Sequence, residues 1–453
     1  MEIIKKIFIF LYLIICILPV AFVNRKDVFL SEVDNRYLMK KSDIHDLSSL
    51  GNYIDDRIGG REIMIEIYHK INEVLFDNYD HDEVYLGQNG HTFPKIKNNI
   101  KYSDYHEDFA NFVINMSDYY KEQEIEFYFV FNPSKSSIYP ESLPRGVNYN
   151  SDWVDIFLDN LKSNGVEVVD NYNYFKEIKT SVDLFNTKYD SAHWNDLGAL
   201  YGTNNLFSVI KKDYPDVVSY SSEDYDVKYE VMEYLPNTKI KINEEVMVLE
   251  SQIEYTDLTD SYIDKIELME DFNYFHYYKM NNATKPRVLM FQGSYYNASD
   301  RSKFITNNTS EYIAVHNYRN VENYDYYSNI FNPDCVIFEV AEYTLEEYFF
   351  SQWAMRNKKT SKTFDTKKEI ITRENNSLEI SINDDDYYVE LIISKLPSEV
   401  ENCYIINGDK IHNASKQDEN KWYCLFDDVL SENNEYKIVY EIENTYYGIE
   451  NIR

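Results

Sequence analysis

Apolar and polar positions divide this chain into three parts. Residues 7–23 form an uninterrupted apolar run behind Lys5 and Lys6, and seventeen residues are within the range that spans a bilayer. No small-x-small pair precedes Asn24, so the run reads as an uncleaved N-terminal anchor rather than a signal peptide. A polar connector follows over 24–45, and residues 43–76 have helical periodicity broken at Gly59-Gly60. From there to residue 357 two periods alternate. Short apolar runs at 83–86, 126–131, 166–169, 288–291, 312–315 and 335–338 read as strands. Amphipathic stretches at 105–123, 153–163, 196–212 and 342–353 read as helices. That alternation predicts an α/β fold over 46–357, a mostly parallel sheet with helices on both faces. Residues 214–284 interrupt it with an acidic, Tyr-rich insertion holding a hairpin near 228–241. Past a basic linker at 358–368, alternating segments at 378–382, 387–394, 403–406, 422–426 and 436–440 predict a small β-sandwich. It is expected to fold as its own unit over 365–453.

Within the α/β region one stretch carries chemistry: Asp190-Ser191-Ala192-His193-Trp194-Asn195-Asp196-Leu197-Gly198. An Asp three residues before a His lets both reach one site from a single turn. The carboxylate fixes the imidazole's tautomer and stabilises its charged form, leaving the other nitrogen free as a base. Asn195 or Asp196 then starts a helix. The matching nucleophile lies about a hundred residues on. The strand at 287–292 ends in Gly293-Ser294-Tyr295-Tyr296-Asn297, and the C-terminal end of a strand is where open α/β sheets place reactive groups.

These two stretches together resemble the SGNH hydrolase superfamily. The order Asp-His before Ser is similar to its permuted branch, which includes the alginate O-acetylation proteins and the DHHW proteins of Gram-positive bacteria. Further pieces carry the resemblance: Asn52 to Arg61, Val84 to Phe93, the loop Phe131-Asn132-Pro133-Ser134-Lys135 through Tyr139-Pro140 and Leu143-Pro144, and Pro333-Asp334 to Glu339. It spans roughly residues 45–350. Two positions depart from the branch. Its Asp two residues before the His is Ser191 here, which leaves the role to Asp190, and its Asp before the Ser is Gly293.

The resemblance implies an extracytoplasmic O-acyltransferase, with acetyl as the expected group, acting on a polysaccharide through Ser294, His193 and Asp190. It also implies a multi-pass membrane acyltransferase that hands over the acyl group. The same site serves a polysaccharide O-deacetylase or esterase, and a non-catalytic polysaccharide-binding protein on this fold is the third reading. Acyl transfer needs donors for the developing oxyanion. The Ser294 backbone N–H is the first, with Asn297, Asn132 and Gln292 as side-chain candidates. Lys135 is a candidate substrate contact, or else pairs with an acidic neighbour, and Trp194 is expected to shield the site by packing.

Composition narrows the partners. A formal charge of −33 argues against nucleic acid and anionic lipid surfaces. The 44 Tyr include candidates for stacking on sugar rings. With 12 Gly and no phosphate-cradling loop, dinucleotide fingerprint or metal-ligand cluster, no cofactor is implied. A long acidic domain behind one N-terminal anchor is expected on the outer side of the cell membrane. Cys403 and Cys424 fall in one small unit, where a disulfide and free thiols are both open.

Overall fold

The computed structural model describes residues 36–76, 83–95 and 101–452, except 237, 239, 252, 282–283, 363, 374–377, 385–387, 409, 419 and 428–435. It also describes 5–7, 9, 10, 12, 17, 23–25, 30 and 31. Most of the apolar run at 7–23 lies outside these residues. Among the described residues no helix is long and apolar enough to cross a membrane.

Helices α1 (Leu47–Asp56) and α2 (Arg61–Phe76) precede a hairpin of β1 (Val84–Leu86) and β2 (Thr92–Pro94). Next come α3 (Asp104–Glu122), β3 (Glu126–Asn132), α4 (Asp152–Ser163), β4 (Val168–Asp170), α5 (Asn171–Ile178) and α6 (Asp196–Ile210). The insertion holds a hairpin of β5 (Asp226–Tyr234) and β6 (Lys241–Glu250), then β7 (Tyr255–Asp257) and β8 (Phe275–Met280). After it run β9 (Arg287–Gln292), the single turn α7 (Ser294–Asn297), β10 (Glu311–His316), α8 (Tyr324–Phe331), β11 (Cys335–Ala341) and α9 (Gln352–Asn357).

Seven of these strands form one sheet in the order β4-β3-β11-β9-β10-β8-β7. The first five are mutually parallel, and β8 and β7 extend the edge antiparallel. This is a mixed α/β fold. The parallel strands are buried on both faces, which is why β3 and β11 read as unbroken apolar runs. Phe127, Phe129 and Phe131 pack into one core with α3 and α4, while Tyr128 and Val130 pack into the other with α6. The insertion is therefore not a mere excursion, because its last two strands close the sheet's edge.

The helix expected over 342–353 does not form. A short turn at Glu342–Thr344 is followed by open chain, and α9 begins only at Ser351, whose side chain caps it. Tertiary demand overrides the local pattern there. Glu342 is fully buried against the β3 loop and Tyr343 is turned toward Ser294.

Residues 370–452 form an eight-stranded sheet: β12 (Ile370–Thr372), β13 (Glu379–Asp384), β14 (Val389–Ser394), β15 (Asn402–Asn407), β16 (Lys410–Asp418), β17 (Lys421–Phe426), β18 (Tyr436–Ile442) and β19 (Thr445–Ile452). Their order is β12-β19-β18-β15-β16-β17-β14-β13. The strand β16 pairs with β15 through Ala414 and with β17 from Ser415, so the two halves share a strand and fold over one core. Cys403 and Cys424 both lie in that core as free thiols, and no disulfide joins them.

This sheet is tied to the α/β region by its own strands and by the linker, where Lys358 and Ser361 hold Asp325 of α8. Asn329 of α8 donates to Asn413 O at 2.8 Å and accepts from Asn413 N at 2.5 Å. Asp427 accepts from Tyr277 at 2.7 Å and pairs with Arg287, and Tyr388 and Leu425 enter the core beside α8.

The start of α6 sets the position of the motif before it. Asn195 caps the helix by accepting from Gly198 N at 2.8 Å, and its amide donates to Asp183 O at 2.7 Å. A Cβ at Gly198 would run into Leu184 O and lie 2.9 Å from Trp194 Cβ. Gly198→Ala is expected to destabilise the protein by about 1–3 kcal/mol, read as a lowered midpoint in thermal unfolding.

Candidate active site

The segment 186–190 leads into the site without helix or strand, so every backbone polar group in it needs another partner. Glu244, on β6 of the insertion, accepts from Thr187 N at 2.8 Å and Lys188 N at 2.9 Å, and also from Tyr189 N. On the carbonyl side, Lys135 Nζ donates to Asn186 O at 2.7 Å and Thr187 O at 2.9 Å. Thr92 Oγ1 donates to Lys188 O at 2.5 Å. The chain then turns at Asp190 with a left-handed backbone, φ 55°.

That turn aims Asp190 at His193. Its carboxylate lies 2.8 and 2.9 Å from His193 Nδ1 and accepts the His193 backbone N–H at 3.1 Å. Burial pushes the Asp190 carboxyl up, but the His193 hydrogen bonds and charge, with Arg301 nearby, hold it below the usual carboxylate range. It therefore stays ionised at neutral pH and accepts a hydrogen bond from the N–H that the imidazole carries at Nδ1, leaving Nε2 toward Ser294. His193 Nε2 faces Ser294 Oγ at 2.9 Å, across 101 residues of sequence. Ser191 is not the partner. The Asp three residues before the His, rather than a residue two before it, meets the ring.

Two aromatic residues lock the two halves together. Trp194 is fully buried and donates from Nε1 to Tyr295 O at 2.8 Å. Tyr295, next to Ser294, donates to Pro133 O at 2.8 Å and to Ala192 O at 3.0 Å. Asp196 adds a third tie, with Arg301 Nε at 3.3 Å, Lys303 Nζ at 3.0 Å and Leu249 N at 3.0 Å.

Gly293 has a direct structural reason. Its N–H donates to Glu339 Oε2 at 2.5 Å, and a Cβ there would lie 3.1 Å from that oxygen and 3.2 Å from Asn317 Nδ2. The space next to residue 293 is already taken by a carboxylate from β11. Burial pushes the Glu339 carboxyl up to about 7.

Asn132, Lys135 and Trp194 are held by other protein groups. Asn132 donates its amide to Glu339 at 2.9 Å and accepts from Asn171, deep under the sheet end. Gln292 is buried and accepts from Tyr312. Lys135 is buried and pairs with backbone carbonyls rather than with an acid. Asn297 closes α7 by donating its backbone N–H to Gly293 O at 3.2 Å. Trp194 is a packing residue, as its burial requires.

Sequence reasoning missed Tyr343. Its hydroxyl lies 2.7 Å from Ser294 Oγ. A serine hydroxyl has one proton, so if Ser294 donates to His193, the Tyr343 phenol donates to Ser294. Burial raises the phenol's pKa well above its usual value, which keeps it a donor at any working pH. Its position just past the C-terminal end of β11 was the available signal, since that is where parallel sheets present functional groups. The helix expected over 342–353 hid it.

Lys135 gives a pH-dependent prediction. Burial lowers its ammonium pKa to about 7, partly offset by Glu244 and Asp190. A neutral amine still has two N–H groups for the two carbonyls. The folded pKa lies below the unfolded value, so the folded state binds fewer protons between them. Stability from this group is therefore present at high pH and lost as pH falls through about 7. Lys135→Met is expected to lower the melting temperature, and the wild type's lead over it should widen from pH ~6 to pH ~9.

Residues 96–235 match the family model described as SGNH hydrolase-like domain, acetyltransferase AlgX. The matched stretch holds Lys135, Asp190 and His193 and ends before Ser294. No curated protein matches the chain. Among solved structures, Bacillus cereus PatB1 with a sulfonyl adduct is 18% identical, over 60% of this chain and 98% of that one, with a TM-score of 0.47. The O-acetyltransferase domain of Pseudomonas putida AlgJ is 13% identical, over 61% and 99%, with a TM-score of 0.41. A DHHW family protein from Eubacterium siraeum is 14% identical, over 63% and 99%, with a TM-score of 0.44. The chain is thus similar, over residues 96–235, to the SGNH hydrolase-like domain of the acetyltransferase AlgX.

Proposed function

We propose that this chain is an extracytoplasmic O-acyltransferase, most simply an acetyltransferase, that modifies hydroxyl groups of a polysaccharide. The observation that carries the reading is the unbroken relay from Asp190 through His193 to Ser294, with contacts of 2.8 and 2.9 Å. Such a relay turns a weakly nucleophilic hydroxyl into an attacking group.

Ser294 Oγ attacks the acyl carbonyl of the donor while His193 Nε2 takes the hydroxyl proton. The carbonyl oxygen becomes an oxyanion, met by the Ser294 backbone N–H and by the Tyr343 phenol. Collapse breaks the bond to the donor's leaving group, which takes the proton from His193 and departs. An acyl ester now sits on Ser294. A sugar hydroxyl enters, loses its proton to His193 and attacks the ester, and the second collapse returns that proton to Ser294. Asp190 stabilises the imidazolium at each stage without itself accepting the proton. Acetyl-CoA is confined to the cytoplasm, so the donor is an acyl group exported by a multi-pass membrane acyltransferase. An N-terminal anchor over 7–23 would hold the chain beside that partner on the outer face.

A serine-directed sulfonyl fluoride should label Ser294, and Ser294→Ala should abolish the labelling. His193→Ala should slow it by ~10²–10⁴ and Tyr343→Phe by ~10²–10³, the cost of losing a general base or an oxyanion donor. Asp190→Asn should also slow it, and Ser191→Ala should leave it unchanged. In cells, Ser294→Ala should remove acetyl groups from the envelope polymer. Labelling that survives in all the variants, with acetyl content intact, would refute the reading.

The outer-face placement has its own check. A C-terminal tag on intact cells should be cut by added protease, while the N-terminus of the isolated protein should still begin at or near Met1. A protected tag would contradict export.

A further inference from the structure

At the same end of the sheet as Ser294 lies a second concavity, a cleft of about 580 Å³ between the first turn of α3 and the chain running from Leu345 into α9. Leu345 lies two residues beyond Tyr343, so the segment that supplies the phenol beside Ser294 continues into this cleft. Three features mark it as a place built to hold something.

The first is Trp353. It is 74% exposed on the cleft's rim, whereas the other three Trp, at 153, 194 and 422, are all buried. Its open indole presents a face on which a ring can stack. The second is His106, which lines the cleft, is 4% exposed, and has Nε2 without a hydrogen-bond partner among the described residues. Its other nitrogen is held by Ser103 Oγ at 2.9 Å, which fixes the ring. Burial lowers its pKa to about 4, so at neutral pH it is an uncharged imidazole able to pair with a hydroxyl. Buried polar atoms are rarely left without partners. The third is charge. Glu346 and Glu347 line the cleft, and Arg356 is engaged by Asp108 through Nε at 2.7 Å and Nη2 at 2.6 Å. A ligand here meets two carboxylates and a guanidinium already paired with Asp108.

We infer that this cleft is a subsite for an uncharged glycan chain, with a pyranose ring stacked on Trp353 and a hydroxyl hydrogen-bonded to His106 Nε2. Rings offer an apolar face to sugar C–H groups, and carboxylates accept from sugar hydroxyls. The same lining repels a polyuronate. The inference rests on the acyl-transfer reading only for the purpose of the glycan, as the acceptor that runs on to Ser294.

The test uses the full chain in a sugar-free detergent, titrated with cellotetraose, maltotetraose, chitotetraose and tetragalacturonate. Binding is read by saturation-transfer NMR and by protection of tryptophan fluorescence from acrylamide. At least one neutral tetrasaccharide should bind, and Trp353→Ala should weaken it tenfold or more. Trp353→Phe should restore part of the loss. His106→Phe should weaken binding while keeping a ring in place. Trp353 is exposed, so its removal does not threaten the fold. Failure of all three neutral sugars, equal binding by Trp353→Ala, or tighter binding of tetragalacturonate would overturn the inference. Ser294→Ala separates the two readings, because it should bind the sugar as the wild type does. Sugar binding without Ser294 labelling would refute acyl transfer alone, and labelling without sugar binding would refute this subsite alone.

Discussion

The site depends on how one irregular stretch of backbone is satisfied. Residues 186–190 form neither helix nor strand, yet they must deliver Asp190 to within 3 Å of an imidazole. Each N–H or carbonyl left unpaired there would cost about 1–3 kcal/mol. Glu244 takes three consecutive N–H groups, Lys135 takes two carbonyls and Thr92 takes another. Those three side chains come from the insertion hairpin, the loop after β3 and the small hairpin of β1 and β2. A loop held from three directions has one geometry, and the left-handed turn at Asp190 is sustained by that framework.

The same device recurs on the nucleophile's side. Buried carboxylates at the C-terminal end of the sheet serve as fixed acceptors for backbone and hydroxyl donors. Glu339 holds Gly293, and Glu342 holds Ser134 N at 2.8 Å together with Ser137 and Tyr149. Asp196 joins the start of α6 to the chain that follows Ser294. Partners distant in sequence are thereby placed without reliance on flexible surface pairs. The relay's short contacts follow from this scaffold more than from the three residues themselves.

Much of this was legible beforehand. Each parallel strand showed as an apolar run because burial on both faces leaves no alternation to obscure it. The Asp-x-x-His spacing and the Gly-Ser turn were legible because each is local: a tight turn and a strand end. What stayed hidden was non-local. Nothing in Tyr343 distinguishes it from 43 other tyrosines until β11 is laid beside β9. Asn132 looked like a free amide because its carboxylate partner lies 207 residues away. Glu244 sat among the many acids of the insertion, with nothing local to mark its partners 55–57 residues away. The strands β7 and β12 were missed because each is a three-residue edge strand, and β8, β16 and β19 because polar residues interrupt their alternation.

The place where the C-terminal sheet docks has a consequence for how the molecule is oriented at work. Arg287 begins β9 and Ser294 follows its end, and Asp427 grips the beginning. The eight-stranded unit therefore sits at the opposite pole, a strand length or ~20 Å from the nucleophile. It is no lid. Whatever it touches is held at the far end of the sheet from Ser294 rather than over it.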